Sequence, residues 1–115
     1  MIYLAIVLLL STAYAGSLLF VPLDERFTTR VAFENLALLT PYELNSLPDR
    51  YLPSLKQAAP PNDIVNWFNT ELGNAEGSVL SIEMLLYGGL IQSRISNDTT
   101  EQVKARFDSV VQSWQ

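Results

Sequence analysis

The sequence contains no cysteine and no histidine among its 115 residues. This segment therefore cannot hold a Ser-His-Asp triad, a cysteine nucleophile or the usual zinc site of His and Cys ligands. Basic residues are also few, 7 against 12 acidic ones, and nowhere do they cluster. We expect no nucleic-acid partner, because binding of nucleic acid requires a basic surface. Carboxylates, hydroxyls and arginines remain to supply the chemistry.

The first residues form an apolar run, from position 2 to position 10, that is too short to span a bilayer comfortably. Ala13-Tyr14-Ala15 follows it and has the small-x-small form of a signal-peptidase site. We predict a signal peptide over residues 1–15, cleavage before Gly16, and a secreted, extracellular protein without a membrane span after cleavage. The alternatives are a buried first strand or an uncleaved anchor.

The rest of the chain alternates between two hydrophobic patterns. Short apolar segments predict strands over Ser17–Val21, Tyr42–Asn45 and Ser78–Leu85. Segments of helical periodicity follow each strand, and their predicted starts are Thr28 or Thr29, Asn62 or Asp63, and the capping box Asp98-Thr99-Thr100-Glu101. This order predicts an α/β fold: a three-layer parallel sheet with helices on its faces.

The segment Ser78–Arg94 is the most informative part of the sequence. Its apolar residues are dense enough for the central strand of a sheet that is covered on both faces. Glu83 interrupts this run, and a buried carboxylate is costly unless it is paired, protonated or in use. The run ends at Gly88-Gly89, where the backbone can turn sharply or approach a ligand. The segment therefore predicts a functional site.

Polar residues follow the first and the third predicted strands. Because the carboxyl ends of parallel strands share one edge of a sheet, we expect the two loops to meet there. Asp24 and Glu83 are the predicted catalytic pair, since two carboxyl groups suffice for glycoside hydrolysis. The predicted substrate-binding residues are Glu25, Arg26, Tyr87, Gly88, Gly89, Ser93 and Arg94.

Two motifs in these loops resemble those of a large uncharacterised family, the domain of unknown function 4127. They are the segment from Val21 to Arg26 (VPLDER) and the segment from Glu83 to Arg94 (EMLLYGGLIQSR). The family usually has proline where this chain has Phe27, and aspartate where it has Glu83. The resemblance implies that members are several times longer. Residues 16–115 are then expected to be the amino-terminal α/β segment of a larger domain, an incomplete fragment.

Three functions are compatible with this sequence. The first is a secreted hydrolase of carbohydrate or a similar polar substrate, and one variant of it places a divalent cation between the carboxylates. The second is a non-catalytic extracellular sugar-binding module, and the third is an inactive truncated fragment. We predict that the site contains no metal and no other cofactor. Asn97 begins an N-glycosylation sequon, Asn97-Asp98-Thr99, which requires a secretory route.

Overall fold

The protein is described here by a computed structural model that covers residues 15–54 and 57–115, so the predicted signal peptide lies, apart from Ala15, outside the described residues. Three strands form one parallel sheet in the order β2-β1-β3. They are β1 (Gly16–Val21), β2 (Tyr42–Ser46) and β3 (Gly77–Leu80). The predicted alternation of strands and helices and the parallel sheet are confirmed.

The first strand, not the third, lies in the middle of the sheet. In β1, Leu18 is in register with Leu44 on one side and with Gly77 on the other. The end of this strand, Leu19 to Val21, is buried, as expected for a strand with neighbours on both edges. The prediction that the third strand is central was wrong, because β3 has only four residues and pairs with β1 alone.

Within residues 15–54 and 57–115, five helices and one 3-10 turn connect and cover the strands. The helices are α1 (Val31–Ala37), α2 (Pro61–Leu72), α3 (Ile82–Tyr87), α4 (Leu90–Ile95) and α5 (Thr100–Ser113). The 3-10 turn, Asp49–Tyr51, lies between Pro48 and Pro53.

Consecutive side chains of β1 point to opposite faces of the sheet, and each face carries a helical layer. Leu19 and Val21 belong to the buried core that α2, α3 and α5 complete. Phe20 points the other way and stacks on Phe33 of α1, with 4.3 Å between the ring centroids. The three-layer arrangement is therefore present.

The two faces are covered unequally. On the face of α2, the side chains of Ile64, Phe68, Met84 and Leu85 are almost completely removed from water. Helix α1 has no buried residue at all, and Leu38 and Leu39 just after it are 81% and 84% exposed. The side chains of α1 are therefore partly buried or exposed, and this face is less completely covered than the other.

The predicted strand Ser78–Leu85 is wrong beyond Leu80. Ser81 ends the strand and caps α3, because its hydroxyl accepts a hydrogen bond from the Met84 backbone N–H at 3.3 Å. Met84 and Leu85, in the second half, are buried on a helix instead of a strand. Apolar density alone does not distinguish a short buried strand from a short buried helix.

The helix starts differ from the predicted ones by small shifts. Arg30 precedes α1 and no side chain caps it, so neither predicted threonine has that role. Pro61, with its fixed φ, is the first residue of α2. The capping box of α5 lies one residue later than predicted, with Thr99 as the cap and Gln102 as its partner.

Candidate functional site

A small cleft, called here the Asp24 cleft, lies at the carboxyl edge of the sheet and has a volume of about 180 Å³. Its walls come from segments that follow all three strands. The lining residues are Asp24, Glu25 and Arg26 after β1, Pro53 and Ser54 after β2, and Leu90, Ile91 and Gln92 beyond β3. This is the edge at which parallel α/β proteins bind their ligands.

Asp24 is the most constrained side chain of this cleft, and only 8% of the residue is exposed. Its Oδ2 accepts a hydrogen bond from Arg26 Nε at 2.8 Å and lies 2.6 Å from Arg26 Nη2. Its Oδ1 accepts from the Arg26 backbone N–H at 3.1 Å and from the Thr29 hydroxyl. Both carboxylate oxygens are therefore engaged within one turn of chain.

These contacts set the charge state of the pair. Burial raises the pKa of Asp24, but the hydrogen bonds from Arg26 and Thr29 outweigh it and place the pKa below its ordinary value of 3.8. In return, the hydrogen bond to Asp24 raises the pKa of Arg26. The cleft thus contains an ionised carboxylate that holds a guanidinium. The side chain of that arginine remains 59% exposed.

Glu83 is placed differently from its prediction as a strand residue. It lies in the first turn of α3, where its Oε2 accepts a hydrogen bond from the Ser81 hydroxyl at 2.9 Å. A carboxylate in this position also interacts favourably with the helix dipole. Glu83 is not among the residues that line the Asp24 cleft in the described part of the chain. Its pairing with Asp24 in catalysis stays a prediction.

The two glycines of the predicted site carry out a backbone role. Gly88 ends α3 in the left-handed conformation, with a φ of 82°, and Gly89 continues with a φ of 132°. A side chain at position 88 would also overlap the backbone oxygen of Ala59. Gly88 therefore permits the sharp turn between α3 and α4 and the close approach of the preceding loop.

A second and larger cleft, called here the Tyr87 cleft, has a volume of about 460 Å³ and adjoins the first. Tyr87 and Asn97, both singled out in the sequence, line it. The two clefts share Ser54, Ile91 and Gln92. Helix α4 therefore forms a wall of both.

Two further predicted residues lie on α4 but line neither cleft. The Ser93 hydroxyl donates to the Leu90 backbone oxygen at 2.7 Å and so remains within its own helix. Arg94 is exposed in the last turn of α4, where a positive charge suits the helix dipole.

Thr29 was missed as a site residue, although the sequence singled it out as a helix cap. Its hydroxyl donates to Asp24 and lies within hydrogen-bond reach of the Asp24 and Arg26 backbone oxygens. The spacing of Asp24 and Thr29 could have indicated this contact. A hydroxyl five residues after a strand-end aspartate can reach that aspartate when a turn separates the two residues.

Arg106, a buried residue of α5, was missed altogether. It donates to Asp98 Oδ2 at 2.6 Å, to Asn62 Oδ1 at 3.0 Å and to the backbone oxygen of Leu86. These contacts join α5 to the start of α2 and to the end of α3. Asp98, predicted as a helix cap, is the ionic partner of this arginine.

The described residues contain neither a membrane-spanning helix nor a cluster of metal-ligating side chains. Across residues 15–54 and 57–115, no helix combines the length and the apolar character needed to cross a membrane. In the same part of the chain, no three acidic side chains come together as a cation site would need.

The fold and its cleft define the class: a small parallel α/β protein with a polar cleft at the carboxyl ends of its strands. The chain belongs to the family described as "Protein of unknown function (DUF4127)", whose family model matches residues 18–112. The resemblance seen in the sequence is therefore confirmed at the level of the family. No curated protein and no solved structure matches this chain.

Proposed function

We propose that the protein binds a carbohydrate or a similar uncharged polar ligand in the Asp24 cleft. The observation that carries this proposal is the Asp24–Arg26 pair. Asp24 holds one side of the guanidinium with both Nε and Nη2, so the donors on its other side have a fixed direction. A guanidinium held in this way presents oriented N–H groups to ligand hydroxyls at little entropic cost.

The remaining lining suits such a ligand. Glu25 is exposed beside the arginine and can accept hydrogen bonds from hydroxyl groups. Pro53, Leu90 and Ile91 supply apolar surface for the C–H groups of a ring. Binding sites for small polar molecules commonly combine a mostly apolar wall with a few well-placed polar groups.

Arg26→Gln tests this proposal, because it removes the charged fork while the residue remains exposed. We expect binding of neutral monosaccharides, titrated by NMR against the isotope-labelled protein, to be lost in this variant. Arg50→Gln is the matched control, since Arg50 is an exposed arginine outside the cleft. Equal binding by Arg26→Gln and the unmodified protein would contradict the proposal.

Hydrolysis of the bound carbohydrate is the second candidate function. Asp24 lines the cleft as an ionised carboxylate, which is the state that a nucleophile or a general base requires. Glu83 would be the acid. Both oxygens of Asp24 are already engaged by Arg26 and Thr29, and for this reason we place binding first.

The hydrolase proposal has its own test. Asp24→Asn and Glu83→Gln should each abolish glycoside cleavage while the circular dichroism spectrum stays unchanged. Full activity in the Glu83→Gln variant would remove Glu83 from the mechanism. Loss of cleavage with retained binding would separate catalysis from ligand recognition.

We also propose that the protein is secreted after cleavage before Gly16. Strand β1 begins at Gly16, so cleavage there leaves the whole strand in the mature protein. Amino-terminal sequencing of secreted protein should find Gly16 first. An intact Met1 in a membrane fraction would overturn this proposal. Glycosylation at Asn97 depends on the same route, and a mass loss on treatment with an N-glycosidase would report it.

A further inference from the structure

The Asp24 cleft continues into the Tyr87 cleft along one side of α4. Ser54, Ile91 and Gln92 line both, so no element of the described chain separates them. Together they form a groove that runs from the end of β1 to the start of α5. This continuous surface is called here the α4 groove.

A ligand confined to the Asp24 cleft leaves the larger part of this groove empty. The Tyr87 cleft has more than twice the volume of its neighbour, about 460 Å³ against about 180 Å³. Ile91 and Ile95 lie one helical turn apart on α4 and are 62% and 69% exposed. Both line the Tyr87 cleft, where a ligand that extended past Gln92 would cover their apolar surface.

The polar lining of the Tyr87 cleft consists mainly of uncharged groups. Its amides and hydroxyls belong to Ser54, Gln57, Tyr87, Gln92, Ser96 and Asn97. Amide side chains donate and accept at once, which matches the paired donor and acceptor character of sugar hydroxyls. Ile91, Ile95 and Tyr87 together offer apolar surface for the C–H faces of a sugar ring.

The charges of the groove select against an anion. Among the described residues that line it, three are carboxylates, those of Asp24, Glu25 and Asp98, and one is the guanidinium of Arg26. Asp24 neutralises Arg26 and Asp98 pairs with Arg106, so Glu25 gives the described part of the lining a net negative charge. A neutral chain can enter this groove without a repulsive term, whereas an acidic one cannot.

We infer that the α4 groove binds a neutral oligosaccharide, with one sugar unit in the Asp24 cleft and at least one more in the Tyr87 cleft. This inference rests on the proposed function, because the first unit occupies the cleft of Asp24 and Arg26. It adds the length and the charge of the ligand, and it assigns Gln57, Gln92 and Ser96 to recognition of the second unit.

The test compares neutral monosaccharides with their trisaccharides, cellotriose, maltotriose and xylotriose, by isothermal titration with the whole protein. At least one trisaccharide should bind about tenfold tighter than its monosaccharide, since about 1.4 kcal/mol of added contact suffices for that factor. Gln57→Ala and Ser96→Ala should remove this advantage and leave monosaccharide affinity unchanged, because both residues line only the Tyr87 cleft. Gln112→Ala, an exposed amide of α5 outside the groove, is the matched control.

The possible results separate the two proposals. Equal affinity for the monosaccharide and every trisaccharide would overturn the extended groove while the proposed function stands. A trisaccharide advantage that survives both groove variants would also overturn it. Absence of binding to any sugar would overturn both. Tighter binding of acidic trigalacturonate than of the neutral trisaccharides would refute the charge argument.

Discussion

The two faces of the sheet show what holds this protein together. On one face, α2, α3 and α5 enclose Phe68, Met84 and their neighbours almost completely. On the other, α1 contributes the stacking of Phe33 on Phe20 and leaves Leu38 and Leu39 in water. Since buried apolar area supplies most of the stability of a small domain, the first face should determine the fold. On the second face, changes at the exposed positions should cost little.

The largest expected effect comes from truncating the core on the closed face. Phe68→Ala should lower the free energy of unfolding by about 3–5 kcal/mol, through lost transfer energy and a residual cavity. Chemical denaturation measures this loss. If the alanine variant does not fold, Phe68→Leu, which keeps more of the volume, should fold with a smaller loss. A loss of stability smaller than that of Leu38→Ala would contradict the conclusion that the closed face contributes more to stability than the open face.

A second large effect is expected at Arg106, which links α5 to α2 and α3 on this face. Arg106→Leu should lower the free energy of unfolding by about 3 kcal/mol, because it leaves the Leu86 oxygen and Asp98 without their cation. Lys104→Ala is the control on the same helix, since its exposed pair with Asp108 should contribute less than about 1 kcal/mol. If thermal or chemical unfolding shows equal losses of stability for Arg106→Leu and Lys104→Ala, the buried contacts of Arg106 do not stabilise the fold as expected.

A smaller effect is expected at the sheet edge between the two faces, at Asp24. Its folded-state pKa lies below 3.8, so its stabilising contribution is present above that value and is lost as the pH falls through the folded-state pKa. Asp24→Asn should therefore weaken the dependence of stability on pH between about pH 5 and about pH 2. An unchanged acid-unfolding curve would contradict this.

Thr29→Val should raise the pKa of Asp24 by removing one of its hydrogen-bond donors. NMR titration of the Asp24 carboxyl carbon measures the shift directly. Thr28→Val is the matched control, because Thr28 is an exposed neighbour that makes no hydrogen bond to this carboxylate within the described chain. A pKa that is the same in both variants would exclude Thr29 from the site.

The smallest effect on stability is expected on the open face. Leu38→Ser together with Leu39→Ser should change the free energy of unfolding by no more than about 0.5 kcal/mol, as is usual for exposed positions. The same change should reduce self-association, which we predict for residues 16–115 because their apolar surface is uncovered. Light scattering at increasing concentration tests this. A loss of stability as large as that of Phe68→Ala would show that the open face is part of the core.

The alternation of strands and helices and the parallel sheet could be predicted from the sequence, since periodicity and turn residues report them directly. The secondary structure of the second half of Ser78–Leu85 could not be predicted, because its apolar density fits a strand and a helix equally well. Two residues held the missing information: Ser81 is a favourable cap and Gly88 a favourable stop, and together they frame a short helix.

The site was only partly predictable for a related reason. Asp24, Glu25 and Arg26 follow a strand, and strand-end position indicates a cleft without any knowledge of side-chain direction. Arg106 lies on the same helical stripe as Val103 and Val110, three and four residues away, yet a charged residue is normally assigned to the solvent side. Its burial depends on Asp98 and Leu86, which only the tertiary structure brings to it.

The strand order β2-β1-β3 also has a consequence for the timing of folding. β1 pairs with β2, which follows it in the chain after a single helix. Its other partner, β3, begins only at Gly77, so the pairing of Leu18 with Gly77 joins residues that are far apart in the sequence. Closing so long a segment costs entropy before any contact repays it, and such non-local pairing slows folding. Until the chain has been synthesised as far as Leu80, one edge of β1 has no partner. Of the three described strands, β1 is therefore synthesised first and gains its second partner last.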